Sequence, residues 1–284
     1  MRLYLEAALN DFVKKTGVVP KRASTPYAPD LPRDQADQLI STPGKYGADA
    51  AHYLMRLMFA ARMASPDLSL AIQRLATQIT KWSSDCDRRL LRIYGYIANK
   101  PNIALIGTVN TNFNGTPCII AWPDADLAGD PATSRSTSGY FVEICTGGSH
   151  HFPLAWGSRR QTSTSCHTCE AETVSLATCL RQQALPAQLL LDRLLRATTE
   201  LFVKEGNTAT ICAIRRGYSP ALRYLKRTQR IDLGFLHEAF EQERTHLQKA
   251  DTGDHKGDFF TKPLGIAAFT AALVKIGMIV ITGS

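Results

Sequence analysis

Apolar side chains recur at three- and four-residue spacing through Tyr53, Leu54, Leu57, Met58 and Ala61, which predicts a helix there. Pro66 ends it, and Asp67 is placed to cap a second helix reaching to about Trp82, with Leu68, Ile72, Leu75 and Ile79 on one face. Ser83, Ser84 and Asp85 offer caps for a third, which carries Leu90, Leu91, Tyr94 and Ile97. Residues 17–48 are rich in Pro, Gly, Ser, Thr and Asp without a sustained period and read as an extended linker. The period changes after Pro101. Residues 102–109 and 117–122 read as short strands, and at 139–145 Tyr140, Val142 and Ile144 alternate with Phe141, Glu143 and Cys145. Gly147-Gly148 marks a turn before another strand at 152–158. From Thr168 a helix places Ala171, Val174, Ala177, Leu180 and Ala184 on one face. Pro186 is expected to break or kink it before a second piece with Leu189, Leu190, Leu194 and Leu195. A strand at 200–204 and a basic helical region at 219–247 complete the pattern. Together they predict an α/β fold, a mixed sheet with flanking helices, preceded by a mainly helical N-terminal segment.

Composition narrows the class. Of 284 residues, 44% are hydrophobic and 20% charged, which excludes a disordered tail and a disulfide-stapled miniprotein. The seven cysteines are odd in number and scattered, and Met1–Val13, with Glu6 and Asp11 inside it, does not read as a secretion signal. A reducing intracellular compartment, cytoplasmic or nuclear, is expected. Gly265–Ser284 is mostly apolar but is interrupted by Lys275 and diluted by Gly and Thr. It is expected to be a packed helix with a short apolar tail and no membrane span.

The net charge of +8 suggests a polyanionic partner. Arg215, Arg216, Arg223, Lys226, Arg227 and Arg230 fall in one stretch without an acid. Such a run is either a solvated helix face or a surface that contacts phosphates.

The acidic residues offer candidate chemistry. Asp124 and Asp126 follow the apolar run Cys118–Trp122, Glu170 lies in a first helical turn, and Asp258 opens the segment 258–264. Carboxylates delivered from a strand end and helix termini can converge on divalent cations, and two such ions can activate water for phosphodiester cleavage. The spacing equally allows plain structural roles, with Glu170 favouring the helix dipole and Asp124, Asp126 and Asp130 acting as turn residues.

Several motifs in the same order and spacing carry a resemblance. Trp122-Pro-Asp-Ala-Asp-Leu-Ala-Gly-Asp130, followed by Ser134-Arg-Ser-Thr-Ser-Gly-Tyr140, resembles the ribonuclease H domain of copia-type retrotransposon Pol polyproteins. So do Ala155-Trp-Gly-Ser-Arg-Arg-Gln161, Cys169-Glu-Ala-Glu172 and the closing Asp258-Phe-Phe-Thr-Lys-Pro-Leu264. More weakly, Met55–Leu70 and Asp85-Cys-Asp-Arg-Arg-Leu-Leu-Arg-Ile-Tyr-Gly-Tyr-Ile97 resemble the segments between the polymerase palm and ribonuclease H. The resemblance implies a thumb- or connection-like reverse-transcriptase remnant over 1–100 and a ribonuclease H-like domain over 101–284. The polymerase's Tyr-x-Asp-Asp signature is absent, so no reverse transcription is expected.

By motif, Asp124, Glu170 and Asp258 match three of the family's four carboxylates, which hold two Mg²⁺ ions and cut RNA in RNA–DNA hybrids. The fourth belongs to an Asp-Asn pair, where this chain reads Lys204-Glu-Gly-Asn-Thr-Ala209 and places Gly206 at the Asp position. Glu205 is adjacent but is expected to point away, because strand side chains alternate. Asn207 offers only a neutral oxygen. The resemblance therefore implies a Mg²⁺-dependent nuclease with impaired catalysis. Its alternatives are a non-catalytic nucleic-acid-binding module and a functionless relic. The missing polymerase part is a further expected partner.

Other constellations carry less. Cys166-His-Thr-Cys169 lacks a second pair at zinc-site spacing, so no zinc is expected. Ser163, Ser165 and His167 lack an oxyanion hole and a buried acid. Trp122 and Trp156 read as core aromatics rather than base-stacking platforms.

Overall fold

The computed structural model describes residues 1–29, 31–99, 102–130, 132–251 and 253–281, and its chain divides into two units. The first comprises Met1–Leu105, Pro263–Val274 and the final segment from Met278. Its helices are α1 (Arg2–Thr16), α2 (Arg33–Ser41), α3 (Ala50–Met63), α4 (Ser69–Ala76) and α5 (Ser84–Asn99). Phe12 of α1 is fully buried, stacked on Tyr94 at 4.3 Å and edge-on to Tyr53 at 5.1 Å, so an aromatic cluster ties α1, α3 and α5 together.

Two sequence expectations need correction in this unit. The stretch 17–48 is not a plain linker, because it contains α2 and its earlier part lies along α5. There Asn99 Nδ2 donates to the Ala23 carbonyl at 3.0 Å and Arg92 Nε to the Thr25 carbonyl at 2.9 Å. Gly95 permits the approach, since a Cβ there would stand 2.1 Å from the Lys21 carbonyl oxygen. The C-terminal segment, grouped by sequence with the residues after Pro101, also belongs largely to this unit. Strand β1 is only Ile103–Leu105 and pairs antiparallel with Met278–Val280, the last strand of the chain. Within residues 263–274, Phe269 is buried edge-on to Tyr27 and Tyr96. Among the described residues no helix is long and apolar enough to cross a membrane.

The second unit, Ile106–Lys262 with Lys275–Gly277, contains the mixed sheet with flanking helices that the sequence led us to expect. Its strands are β2 (Cys118–Asp130), β3 (Arg135–Cys145), β4 (His151–Arg160), β5 (Leu201–Glu205) and β6 (Thr245–Lys249), in the order β4-β3-β2-β5-β6. β2, β3 and β4 run antiparallel, while β5 and β6 join β2 in parallel. β6 overlaps the end of the region expected to be helical, 219–247. Its short alternation, with Thr245 and Leu247 buried, was masked by the helices α9 (Leu225–Gln229) and α10 (Leu233–Glu241) before it.

Helix α6 (Thr168–Cys179) packs on β2 and β3, and the α-helix gives way before Pro186, as expected. A π-helical turn at Leu180–Ala184 leads into α7 (Leu185–Leu195), with Pro186 in the first turn of α7, where a missing N–H matters least. Ile119, Ala121, Val142, Leu201, Val203 and Leu247 form one core with α6, with α8 (Thr208–Arg216) and with α10. The other face of β2 and β3 carries Trp122, Phe141 and Glu143, and the 3-10 turn Lys256–Phe260 lies against it. Phe260 stacks on Phe141 at 6.0 Å. Lys256 Nζ donates to both Glu143 oxygens at 2.7 Å, with side-chain exposures of 13% and 1%. Trp122 Nε1 also donates to Glu143, at 2.9 Å.

Breaking this buried pair on one side strands a charge. Glu143→Gln is expected to lower unfolding free energy by about 3–5 kcal/mol in urea titration, whereas the joint change Glu143→Leu with Lys256→Met should lower it by less. An equal loss in both would show that packing, and not the unpaired ammonium, carries the cost.

Candidate carboxylate site and basic pocket

Four acidic side chains meet where β5 ends beside the middle of β2. Asp124 comes from β2 and is buried. Ser175 of α6 donates to the Asp124 carbonyl at 2.7 Å and to the Gly139 carbonyl at 3.1 Å, which fixes α6 over this point. Glu172 on the same helix accepts from the Ala125 backbone and shares the field of Asp124 and Glu205. The turn 256–260 delivers Asp258, followed by Thr261 and Lys262. Gly257 makes the delivery possible, because a Cβ there would lie 2.7 Å from the Trp122 carbonyl oxygen and 2.8 Å from Asp124 Cβ.

Glu170, the helix carboxylate favoured by motif, does not join this group. Its side chain accepts from the Cys166 N–H at 2.8 Å while its own N–H donates to His167 Nδ1 at 3.2 Å, a reciprocal cap at the start of α6. Glu172, two residues on, turns to the opposite side and faces Asp124. The expected start of the helix at Thr168 was the available signal, since it puts Glu170 at the third helical position, where capping carboxylates belong.

Glu205 corrects a second expectation. It points inward, because Leu201, Val203 and Glu205 are the core-facing residues of β5. One of its oxygens accepts from the Asn207 N–H at 2.7 Å; the other is buried without a partner, as is one oxygen of Glu172. Asn207 caps α8, accepting from Ala209 N–H at 2.9 Å and Thr210 N–H at 3.2 Å. Gly206 directs its open Cβ position toward His255, whose ring carbon would lie 3.6 Å away. His255 Nε2 donates to the Lys204 carbonyl at 3.1 Å, and burial lowers the pKa of this ring, which stays neutral.

Burial raises the pKa of Asp124, Glu172 and Glu205. Asp124 is pushed up to about 6 by burial, with Asp258 and Asp126 adding to the rise against the pull of Lys262. Glu205 is pushed up to about 8 by burial and the field of Asp124, and Glu172 to about 10 by burial, Glu205 and Asp124. Lys262 supplies the local counter-charge. Its ammonium lies 2.7 Å from Asp258 Oδ1 and 3.7 Å from Asp124 Oδ2, and Thr261 Oγ1 donates to that same Asp124 oxygen. Burial works against its charge, but Asp124 and Asp258 hold the ammonium above its ordinary pKa.

The oxygen donors suit a hard cation such as Mg²⁺, but their arrangement does not. Among the described residues no three His, Cys, Asp or Glu side chains stand in metal-holding geometry. Lys262 already bridges two of the expected ligands, Gly206 supplies no side-chain oxygen, and Glu172 and Glu205 keep their protons near neutral pH.

The expected basic residues separate. Arg215 Nη2 donates to the Leu247 carbonyl at 3.2 Å, Arg223 stacks on the Tyr224 ring at 4.8 Å, and Lys226 pairs with Asp232 at 2.7 Å. Arg216 and Arg227 are exposed. Arg230, held in a left-handed backbone conformation after α9, instead joins Arg159, Arg160 and Arg181 around a pocket of about 350 Å³ with no acid in its lining. Arg160 is paired with Asp130 at 2.9 Å. The sequence reading missed this pocket because its arginines come from β4, the π-helical turn and the loop after α9.

No family model matches the chain. It is similar to the retrovirus-related Pol polyproteins from transposons RE1 and RE2 of Arabidopsis thaliana, 27% identical over 215 and 216 residues, which is 75% of this chain. The chain spans 14% of the length of either relative. Among solved structures, a ribonuclease H1 isolated from compost aligns with a TM-score of 0.34 and 17% identity, covering 55% of this chain and 98% of that one. The N-terminal ribonuclease H domain of a Mycobacterium tuberculosis protein aligns with a TM-score of 0.32 and 16% identity, covering 55% and 96%.

The raised carboxylates make stability fall with pH. In the folded chain Glu205 keeps its proton up to about 8, whereas the unfolded side chain releases it near 4.5, so folding is penalised progressively as pH rises across that window. Glu205→Gln removes the penalty. Compared with the parent in urea titrations, the variant is expected to be near neutral at about pH 4.5 and more stable at about pH 9. A loss of stability at the higher pH would mean that the ionised carboxylate has a stabilising partner.

Proposed function

We propose that this chain contains a copia-type, ribonuclease H-like domain of retrotransposon origin that binds RNA–DNA hybrids and whose Mg²⁺-dependent cleavage is impaired. The observation that carries this reading is the composition of the carboxylate site. Asp124 and Asp258 stand together, as the motifs imply, with Glu172 in place of Glu170. The position beside them where the resemblance puts a further Asp is Gly206. Losing one anionic group at a preorganised centre weakens electrostatic stabilisation of a transition state by about 10²–10³ in rate. Binding rests on the arginine pocket. Guanidinium groups take phosphate oxygens in paired hydrogen bonds, and Arg159, Arg181 and Arg230 line a pocket with no acid among its described lining residues, although Arg181 also lies over the Phe235 ring.

Of the two readings, hybrid binding with little or no cleavage is favoured over full activity. Lys262 neutralises Asp124 and Asp258 from within the chain, and the protonated Glu172 and Glu205 leave few free anionic oxygens. The intracellular setting and the polymerase partner expected from the sequence belong to the same proposal.

The test uses a labelled RNA–DNA hybrid with Mg²⁺ or EDTA. The parent is expected to bind and to cut slowly or not at all, and any cutting should vanish in Asp124→Asn. Gly206→Asp, whose new Cβ meets only ordinary contact with His255, should raise metal-dependent cutting by about 10²–10³. A folded Gly206→Asp variant that binds hybrid without any gain would sink the assignment of that position. Arg181→Ala and Arg230→Ala should each weaken hybrid binding and reduce the slope of log affinity against log salt by about one.

A further inference from the structure

Cys118 opens β2 and Cys145 closes β3, and the two stand opposite each other in the antiparallel register. Opposed residues in such a pair have Cα atoms about 4.5–5.5 Å apart. That lies inside the range of roughly 4.4–6.8 Å that a disulfide spans. Both side chains leave the sheet on the face of Ile120 and Glu143, and the two thiols are within hydrogen-bonding reach of each other. Both are free and half-buried, within reach of a small reagent. Their place in the hairpin matters. The connection after Asp130 joins β2 to β3 at one end, and the cysteine pair faces across the open end.

We propose that Cys118 and Cys145 form a redox modification site, a cross-strand dithiol that closes to a disulfide by exchange with a small-molecule disulfide. The thiolate of one cysteine attacks a sulfur of the reagent, releases one small thiol and leaves the other half bound to the protein. The thiolate of the second cysteine attacks the protein-side sulfur of that mixed disulfide and expels the second small thiol. Two cysteine thiols are oxidised, one reagent disulfide is reduced to two thiols, and each proton lost by a cysteine is matched by one taken up by a leaving thiolate. Burial pushes the Cys118 thiol up to about 11, with Cys145 adding to the rise, so closure is slow near neutral pH and quickens as pH rises. The bond would clasp the open end of the hairpin and hold the β2–β3 register where no turn does so.

The experiment uses the full chain carrying Cys166→Ser and Cys212→Ser, which removes the two exposed thiols. It is incubated with oxidised glutathione at mildly alkaline pH, denatured, alkylated and digested. Protection of Cys118 and Cys145 from alkylation, a mass lower by two hydrogens and a digest fragment joining the two peptides are the expected result. Adding Cys145→Ser should abolish the joined fragment and leave Cys118 alkylated or as a glutathione adduct. Full alkylation of both cysteines in the parent background, or separate glutathione adducts on both, would overturn the proposal. These readouts come from native cysteines and do not depend on the folding of the Cys145 variant.

Discussion

The candidate site rests on the buried ion pair between Lys256 and Glu143. Glu143 lies on the face of β3 turned away from the helices, and its carboxylate takes both a bidentate ammonium and the Trp122 indole. That grip holds the turn 256–260 against the sheet. Asp258, Thr261 and Lys262 follow within six residues of Lys256 and therefore arrive at Asp124. Buried pairs of this kind add little net stability, since desolvation offsets most of the attraction, but a broken one is costly. Their value here is positional: a turn without regular strand pairing is fixed to one place on a rigid sheet.

The site that results is crowded with carboxyl groups and poor in solvent. Desolvation and mutual repulsion raise Asp124, Glu205 and Glu172 in increasing order, and Lys262 provides the nearest compensating cation. A divalent ion entering this space must displace protons and compete with an ammonium already in contact with two carboxylates. The inward turn of Glu205 adds a second buried, proton-holding carboxyl beneath the strand end that Gly206 leaves bare.

Much of this was legible in the sequence. The alternation at 139–145, the apolar run Cys118–Trp122 and the helix beginning at Thr168 each depend on neighbours a few residues away, and each lies in the expected type of element, though the strand begun at Cys118 runs past its expected end at 122 to Asp130. The motifs also singled out Asp124 and Asp258, which the fold brings to either side of the Lys262 ammonium. Glu170 and Glu172 were harder to separate, because both lie in the first turns of one helix and only the cap geometry decides which carboxylate is spent on the backbone. Pro186 marks the second helical piece as expected, although the change of helix type comes slightly earlier, in the π-helical turn that places Pro186 in the first turn of α7. Strand β6 was hidden because its five residues carry too little alternation to outweigh the helical pattern before them.

Sequence by itself determined the local periods, the change of character after Pro101, the basic balance and the presence of a glycine at position 206. These are properties of single residues or short windows. Tertiary structure alone decided which carboxylates meet, which arginines gather into a pocket, and that the segment after Lys262 packs largely with the N-terminal helices. Those outcomes depend on residues far apart in the chain, such as the pairing of Lys256 with Glu143 or the lining of one pocket by Arg159 and Arg230, and no local spacing encodes them. Electrostatics follows the same division. Residue types fix which groups can carry charge, while burial and neighbours fix whether they do.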